Sequence, residues 1–402
     1  MARASDAEWN HWIDTARARD IRDVALQFGA VLRRQGSAEW VGPCPACGGR
    51  DRFAVNTQKR VFNCRGAEDG KGDCISLVMH VRGCHFLDAV EALTGTPRPD
   101  RSRDETAEAR ASRERFYAAR AIEYARRQAE EAQRIEEEAQ RNEAAIGDIL
   151  RRAMDLEDPR ARQGKAYVTQ TRGLNVPRRL LGDIRFVEKL DYWGVGDNGA
   201  EEPICLATLP AIVALIRNVE GDIIGLAQTY LDFDKPEKWT PTGSPRNSNK
   251  KVRGKKQGGM IRLGPIAETI GIAEGWENAL SFWAMGLGPE DLMLAAAVDL
   301  GNLVGRSTGR TQHKNLFDPE GRPRRHANGQ PKMDEPGVIL PAGIKDVIII
   351  ADSDSEWFAT TAHLHTATLR WMNEGKQVSL AFPPSGLDYN KFLLEELKKG
   401  QA

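Results

Sequence analysis

The sequence predicts a multidomain protein of mixed α+β and α/β class, in which a small cysteine-rich ribbon, a long charged linker helix and a parallel α/β sheet follow one another. Five of the six cysteines fall between Cys44 and Cys84. A run over 97–158 is dense in Arg, Glu, Ala and Gln. The last third alternates apolar runs with helical stretches, which is typical of a parallel sheet covered by helices.

Length and composition set the broad class of the protein. A chain of 402 residues with 41% hydrophobic and 28% charged residues is typical of a globular protein with two or three domains. The formal net charge is zero, so any binding of nucleic acid must come from local basic patches. No run reaches the roughly 18 apolar residues that a membrane span needs. Residues 1–20 lack the apolar segment of a signal peptide, so we expect a cytoplasmic protein without a membrane partner.

Shifts in composition and periodicity divide the chain into five predicted regions. These are a helical segment (1–37), the cysteine-rich ribbon (38–96), a charged helical linker (97–158), a β-rich core subdomain (159–265) and the sheet domain (266–402). In the linker, charges of alternating sign favour a solvated spacer helix. Within the sheet domain, the polar segment from Asp299 to Gly343 is longer than an ordinary loop, so we expect it to be a functional loop or disordered.

Three cysteines have the spacing of a metal site. Cys44 and Cys47 enclose two residues, which places two thiolates on one tight turn. Cys64 follows at a distance expected of a zinc ribbon. In a long chain without an export signal this pattern indicates metal rather than disulfides. The competing interpretation is a ribbon without metal, whose cysteines pack as small apolar side chains.

The fourth ligand of this site is less clear from the sequence. A second knuckle would carry its last cysteine at position 67, where the chain has Ala67. Structural zinc sites use four ligands, so the next cysteine, Cys74, is predicted to complete the set. The alternatives are Cys84, His80 and Asp73.

Cations and aromatic rings alternate around the cysteines. The cations are Arg50, Arg52, Lys59, Arg60 and Arg65, and the rings are Trp40, Phe53 and Phe62. This mixture suits single-stranded nucleic acid, because cations contact phosphates and rings stack on bases. A solvated face over a small core built from these rings fits the pattern equally well.

The segments Gly42–Phe53, Val61–Cys64 and Gly72–Val78 together resemble the CHC2-type zinc-binding domain of bacterial and phage DNA primases. The resemblance covers roughly residues 38–95 and departs from the family at the fourth ligand. It implies a structural zinc ion in a ribbon that holds the DNA template or sets the initiation site.

Acidic residues follow two of the predicted buried strands. Glu274 comes directly after one strand, and Asp352 and Asp354 come just after another. Loops at the carboxyl ends of parallel strands meet at one edge of a sheet. Three converging carboxylates repel one another unless a hard cation lies between them, and Mg²⁺ takes oxygen ligands. We therefore expect a magnesium site that could align a 3′-hydroxyl and a triphosphate, although helix capping or a turn would explain each residue singly.

The order Glu-Gly and then Asp-x-Asp, each after a strand, resembles the Toprim domain of primases, type II and IA topoisomerases and some nucleases. The resemblance implies that Glu274, Asp352 and Asp354 are catalytic and bind Mg²⁺. Asp388 and Asn390 are similar to an Asp-x-Asn element of phage-type primases, which implies that they hold water, metal or phosphate. A turn and cap before the last helix is the other interpretation of this pair.

Basic residues precede the carboxylates in the chain. Lys250, Lys251 and Arg253 would neutralise the phosphates of an incoming nucleotide and template, although a flexible polar loop also fits this composition. The run Tyr167–Leu174 looks like the element that opens primase cores. With it, the resemblance spans most of residues 160–395.

Together these resemblances imply a DNA primase of phage, plasmid or mobile-element type. Such an enzyme is a nucleotidyltransferase that makes short RNA primers on single-stranded DNA from nucleoside triphosphates, with structural Zn²⁺ and catalytic Mg²⁺. The sequence contains no Gly-x-x-x-x-Gly-Lys-Ser/Thr motif, so a replicative helicase would be a separate partner. Two alternatives stay open, a Toprim-type nuclease and a non-catalytic DNA-binding accessory protein of replication.

Overall fold

The computed structural model confirms a multidomain chain of mixed α and β structure. It describes residues 4–35, 38–67, 70–99, 107–196, 203–244, 247–317, 321–354 and 356–400. Two compact units divide the chain, Met1–Glu137 and Glu138–Ala402. The finer division into five regions stays a prediction. Of the residues that the structure describes, none form a helix long and apolar enough to cross a membrane.

The first unit combines a five-stranded antiparallel sheet with short helices. In chain order these elements are α1 (Asp6–Arg17), α2 (Ile21–Gln27), β1 (Arg33–Arg34), β2 (Glu39–Cys44), β3 (Gly48–Asn56), β4 (Val61–Cys64), β5 (Lys71–Gly72), α3 (Cys74–Arg82) and α4 (Phe86–Thr94). Neighbours in the chain are neighbours in the sheet, in the order β1-β2-β3-β4-β5. Local signals set the helix ends: Ser5 forms a capping box with Glu8, and Gly83 ends α3 with φ 62°.

The region where a charged spacer helix is expected contains α5 (Ala107–Arg152), which is 46 residues long. Oppositely charged side chains one turn apart support it, as between Arg126 and Glu130, which lie 3.2 Å apart. Apolar side chains near its carboxyl end, Ile146 and Ile149, pack against the second unit's antiparallel sheet. Residues 100–106 of the predicted linker lie outside the described part of the chain.

The second unit contains two five-stranded sheets. The first is antiparallel, with the order β10-β9-β8-β7-β6. Its strands are β6 (Met154–Asp155), β7 (Ile184–Gly194), β8 (Ile204–Arg217), β9 (Ile223–Tyr230) and β10 (Lys250–Gly254), and α6 (Arg162–Ala166) lies between β6 and β7. Alternate side chains of β8 enter different cores, Ile212 and Ala214 on one face and Ala211 and Val213 on the other.

The second sheet is mostly parallel, as the sequence predicts. Its order is β11-β13-β12-β16-β17, with only β11 antiparallel to its neighbour among these strands. The strands are β11 (Ile261–Leu263), β12 (Thr269–Ala273), β13 (Met293–Ala296), β16 (Asp346–Ile350) and β17 (Gln377–Ala381). The helices around it are α7 (Trp276–Ala284), α8 (Leu300–Val304), α9 (Trp357–Asn373) and α10 (Tyr389–Gly400). Ala273 pairs with Ile350, so β12 and β16 end at the same level.

The long polar segment from Asp299 to Gly343 is more regular than the sequence indicates. It contains α8 and an antiparallel hairpin of β14 (Arg310–Phe317) and β15 (Pro323–Ala327). Frequent Gly, Pro and charged residues concealed these strands, because both are largely exposed and lack an apolar stripe. Residues 318–320 lie outside the described part of the chain.

Candidate functional site

The cysteine cluster lies where β2, β4 and α3 meet. Cys44 ends β2, Cys64 ends β4, and Cys47 lies in the turn between β2 and β3. The Sγ atoms of Cys47 and Cys64 are 3.4 Å apart, and Sγ of Cys44 is 3.2 Å from Nε2 of His80. These four potential ligand atoms lie within 4.8 Å of one another. Three thiols and an imidazole so arranged suit a tetrahedral Zn²⁺ ion.

The structure corrects the prediction for the fourth member of this cluster. Cys74 is buried, but its Sγ donates to the carbonyl oxygen of Arg19 at 3.2 Å. His80 occupies the fourth position that was predicted for Cys74. Cys74 and His80 are separated by about 600° of helical rotation, so they face different sides of α3. The His80 ring stacks on Phe62 with centroids 5.6 Å apart, which fixes its orientation. Asp73, another alternative, instead caps α3 by accepting from the backbone of Ser76.

The surroundings of the thiols favour a bound cation. Burial raises the pKa of Cys44 to about 12 and also raises the pKa of Cys64. Thiolates in such a pocket need a positive charge to offset their lost hydration. One partial compensation is the backbone N–H of Ala46, 3.4 Å from Sγ of Cys44. The residues present therefore fit a structural zinc ion.

The basic residues around the cluster divide by their contacts. Arg50, Arg52 and Lys59 are exposed. The Nη2 of Arg60 instead donates to the carbonyl oxygens of Arg17 at 2.5 Å and of Arg19 at 3.1 Å, which ties it to the end of α1. Contact of these cations with nucleic acid stays a prediction.

The aromatic residues of the ribbon are mainly core residues. Phe53 and Phe62 are at most 2% exposed and pack against each other with centroids 5.8 Å apart. They are therefore not available for stacking on bases. Trp40 is half-buried, with the guanidinium of Arg22 3.9 Å from its ring centroid.

Replacing His80 by Ala should remove most of the bound zinc, because three thiolates leave the tetrahedral site incomplete. Zinc content after dialysis against a chelator, measured by mass spectrometry, checks this. Cys74→Ser is the matched control and should retain zinc, since a hydroxyl can keep the hydrogen bond to Arg19. Retention of zinc by His80→Ala together with its loss from Cys74→Ser would restore Cys74 as the ligand.

The predicted carboxylates converge at the carboxyl ends of β12 and β16. Burial raises the pKa of Asp352 to about 7, with further contributions from the charges of Glu274, Asp388 and Asp354. Burial also raises the pKa of Glu274, opposed by Lys250 and reinforced by Asp299 and Asp354. Burial is thus the main cause of both shifts, and the neighbouring acidic charges act in the same direction.

A chain of amide side chains orients Asp352. Nδ2 of Asn278, on α7, donates to Oδ1 of Asp352 at 2.7 Å. Oδ1 of Asn278 in turn accepts from the backbone N–H of Asn390 at 3.2 Å. The side chain of Asn390 is buried and donates to the carbonyl oxygen of Arg172 and to Oγ of Ser281. Asn390 thus positions the groups that hold Asp352, and its direct contact with a ligand stays a prediction.

Asp388 has the geometry of a helix cap, which was the alternative interpretation of the sequence. Its Oδ1 accepts from the backbone N–H of Lys391 at 2.7 Å, at the start of α10. The same lysine extends its Nζ to within 2.6 Å of Oδ2 of Asp354. The charge of Asp388 nevertheless acts on Asp352, so Asp388 belongs to the electrostatic environment of the site.

Sequence reasoning missed a buried acid beside these carboxylates. Glu277, in the first turn of α7, accepts from the hydroxyl of Tyr167 and lies 3.1 Å from Nε of Arg172 and 2.9 Å from Nζ of Lys238. Burial by itself would raise the pKa of Glu277, yet Lys238 and Arg172 lower it to about 2. Burial lowers the pKa of Lys238 to about 8, against the attraction of Glu277. The sequence signal that could have pointed to Glu277 is its two partners Tyr167 and Arg172, which belong to the run that resembles the start of primase cores.

The basic residues of β10 face two directions. Successive side chains of a strand point to opposite faces. The charge of Lys250 acts on both Glu274 and Glu277. Lys251 instead lies 5.0 Å from the ring centroid of Tyr192, and Nη1 of Arg253 is 3.4 Å from Oδ1 of Asn142. The structure therefore associates Lys250 with the carboxylates and places the other two on the opposite face.

Replacing Asp352 by Asn should stabilise the metal-free protein at high pH. The pKa of Asp352 is raised to about 7 in the folded chain, whereas an unfolded aspartate titrates at about 4. The folded state therefore holds this proton more tightly, and the stability it contributes below about pH 4 is lost as the pH rises to about 7.

We expect a gain of roughly 1–2 kcal/mol at about pH 8 after allowance for solvent screening, and little change at about pH 4. Urea unfolding in the presence of a chelator measures both values. Destabilisation at the higher pH would mean that the acidic groups do not repel one another as inferred.

Replacing Glu277 by Ala should cost about 3–5 kcal/mol of stability, because it leaves Arg172 and Lys238 partly buried without their shared counter-charge. The exposed Glu395 on α10 provides a Glu→Ala control, with an expected change below about 0.5 kcal/mol. Guanidinium unfolding curves compare the two variants. Equal stability of the two variants would show that Arg172 and Lys238 do not need Glu277 as their counter-charge.

Comparison with protein families identifies part of the chain. Residues 10–108 match the family described as CHC2 zinc finger, whose model is named for the zinc ribbon of DnaG. The amino-terminal region is a CHC2 zinc finger. The resemblance to the zinc-binding domain of bacterial and phage primases is thereby confirmed for this region. The CHC2 zinc finger contains all four residues of the Cys44, Cys47, Cys64 and His80 cluster.

Residues 126–263 match a second family model, a domain of unknown function (DUF7146). This match covers the antiparallel sheet of the second unit and ends before the strands that carry the carboxylates. No curated protein matches the chain.

Solved structures of primases are similar to the chain at low identity. The zinc-binding and RNA polymerase domains of Aquifex aeolicus primase are 14% identical, covering 96% of this chain and 84% of that chain, with a TM-score of 0.35. The RNA polymerase domain of Mycobacterium tuberculosis DnaG is also 14% identical, with coverages of 65% and 79% and a TM-score of 0.33. The primase fragment of the bacteriophage T7 primase-helicase is 11% identical, with coverages of 56% and 70% and a TM-score of 0.30. Because these TM-scores are low, no fold or residue role is inferred from them.

Proposed function

We propose that the protein is a DNA primase-like nucleotidyltransferase that makes short RNA primers on single-stranded DNA. The observation that carries this proposal is the presence, in one chain, of a CHC2 zinc finger and a cluster of carboxylates at the end of a parallel sheet. The zinc finger supports a replication setting. The carboxylates supply the chemistry that phosphoryl transfer needs.

In this proposal the CHC2 zinc finger engages the template. Cys44, Cys47, Cys64 and His80 would hold Zn²⁺, which would join β2, the turn after it, β4 and α3. Exposed Arg50, Arg52 and Lys59 would contact template phosphates. Since Phe53 and Phe62 are buried, template binding beside the cysteine cluster would depend on cations and hence on salt concentration.

Glu274, Asp352 and Asp354 would hold Mg²⁺, which supplies Lewis-acid stabilisation of the charge that develops on the phosphates. The residues fit such an ion because burial and neighbouring acidic charges raise the pKa of Asp352 and of Glu274, and a bound cation would offset both effects. Asn278 orients Asp352 for this role. Lys250, on the side of β10 that acts on the carboxylates, would attract the triphosphate of the incoming nucleotide.

Single-stranded DNA and nucleoside triphosphates are the partners that follow from this proposal. A separate replicative helicase would unwind the duplex, and a phage, plasmid or other mobile element would be the setting. Catalysis would depend on position and charge rather than on a covalent nucleophile.

The test is primer synthesis by the purified protein with single-stranded DNA, labelled ribonucleotides and Mg²⁺. The double variant Asp352→Ala/Asp354→Ala should lose at least about 10²-fold in activity, as expected when groups that stabilise transition-state charge are removed. The surface variant Glu395→Ala/Glu396→Ala removes the same number of carboxylates and should keep normal activity.

The outcomes separate the candidate functions. Short labelled products from wild type and the surface variant alone support the proposal. Template shortening that needs Asp352 and Asp354 would instead identify a nuclease. Intact DNA binding without any synthesis or cleavage would contradict the proposal and leave a binding protein.

A further inference from the structure

The hairpin of β14 and β15 stands apart from the sheets of the second unit. It forms a separate two-stranded sheet, and the described parts of its two strands are mostly exposed. Arg310 pairs with Ala327 and Gln312 with Arg325. We refer to the described residues 310–317 and 321–327 as the basic hairpin.

A buried arginine holds the base of the basic hairpin. Arg370, on α9, is 1% exposed and donates to three backbone carbonyl oxygens. Two of them, Val304 and Arg306, precede the hairpin, and the third, Lys332, follows it. Burying a guanidinium is costly unless its donors are satisfied, so this arrangement indicates a fixed attachment rather than a loose insertion.

A second attachment of the hairpin is made by its two histidine rings. The rings of His313 and His326 lie 4.3 and 4.6 Å from the ring of Phe358, in edge-to-face geometry. Phe358 is in the first turn of α9 and follows Asp354 by four residues. Their Cα atoms are therefore at most about 15 Å apart. The basic hairpin is therefore attached to the start of α9, the helix that follows the Asp352 and Asp354 loop.

The charge of the hairpin contrasts with that of the chain. Residues 310–327 contain five Lys or Arg residues and two acidic residues, in a chain with zero formal net charge. Both acidic residues, Asp318 and Glu320, lie outside the described part of the chain. Arg310, Arg324 and Arg325 are exposed. This concentration of arginine matches a partner with regularly spaced negative charges.

We propose that the basic hairpin binds the phosphate backbone of the double helix formed by the template and the newly made strand. The proposal rests on the proposed function, which places such a duplex beside the carboxylates. An RNA–DNA hybrid has A-form geometry, and a two-stranded ribbon would lie across its wide, shallow minor groove with its arginines directed at the flanking phosphates. The hairpin would hold the product in place while the strand grows.

The side chains of the hairpin favour a duplex over a single strand. Surfaces that bind single strands present successive aromatic rings on which bases stack. In the described part of the hairpin, Phe317 is the exposed phenylalanine, and the two histidine rings are turned toward Phe358. The exposed side chains of the hairpin are therefore suited to contacts with phosphates rather than to stacking on bases.

The test compares binding of a labelled RNA–DNA hybrid and of single-stranded DNA by the full chain, using fluorescence anisotropy without metal or nucleotides. Arg310→Ala/Arg324→Ala/Arg325→Ala should weaken binding of the hybrid roughly tenfold or more and reduce the slope of log K against log salt by about 2–3. Binding of single-stranded DNA should change much less. The corresponding triple substitution by Lys should restore most of the slope, because it keeps the charges.

The matched control is Arg160→Ala/Lys345→Ala/Lys399→Ala, which removes three cations that are each at least 65% exposed and paired with a surface carboxylate. It should bind the hybrid like the wild type. Equal loss from both triple variants would overturn the proposal, since it would show only the effect of net charge. An unchanged salt slope in the hairpin variant would overturn it as well.

These results are independent of primer synthesis. If wild type makes primers but the hairpin variant binds the hybrid normally, the hairpin proposal fails and the proposed function stands. If wild type makes no primers yet binds the hybrid through the hairpin arginines, the proposed function fails and the binding surface stands. Zinc content and melting temperature equal to wild type establish that the hairpin variant is folded.

Discussion

The burial of acidic groups close to one another at the ends of β12 and β16 is the constraint on which the candidate site depends. The parallel register ends both strands at one level, so Glu274 and Asp352 are brought together by backbone pairing. Burial on both faces of the sheet keeps that register fixed. This arrangement has a cost in the metal-free protein, which a divalent cation would offset. Proteins retain such costs mainly at functional sites.

The surroundings of these carboxylates follow from the same constraint. The nearby Glu277 could add to the repulsion, but Arg172 and Lys238 neutralise it. The two ion pairs connect Glu277, on α7, to Arg172 before β7 and to Lys238 after β9. Asn278 contributes a neutral amide beside Asp352, where another acid would raise the repulsion further. Glu274 and the charge-paired Glu277 thus lie three residues apart, on either side of the start of α7.

Local sequence patterns were enough to predict the cysteine turn and the acidic residues at strand ends. The side chains that contact them from distant parts of the chain could not be predicted. The spacing of Cys44 and Cys47 and the acids after strands are short-range signals, and they appear where expected. His80 was one of several candidates, because choosing it over Cys74 requires the orientation of α3. The ion pair of Arg172 with Glu277 joins residues far apart in sequence, so no periodicity could indicate it. The hairpin that follows α8 was hidden because its strands bury little apolar surface.

We propose that the acidic edge of the parallel sheet is a divalent cation site. Electron paramagnetic resonance with Mn²⁺, a probe for Mg²⁺ that needs no nucleotide or DNA, tests it most directly. We predict that the wild type binds Mn²⁺ and that Asp352→Asn/Asp354→Asn does not, while Glu395→Gln/Glu396→Gln binds like the wild type. Equal binding by all three proteins, or none by the wild type, would contradict the account.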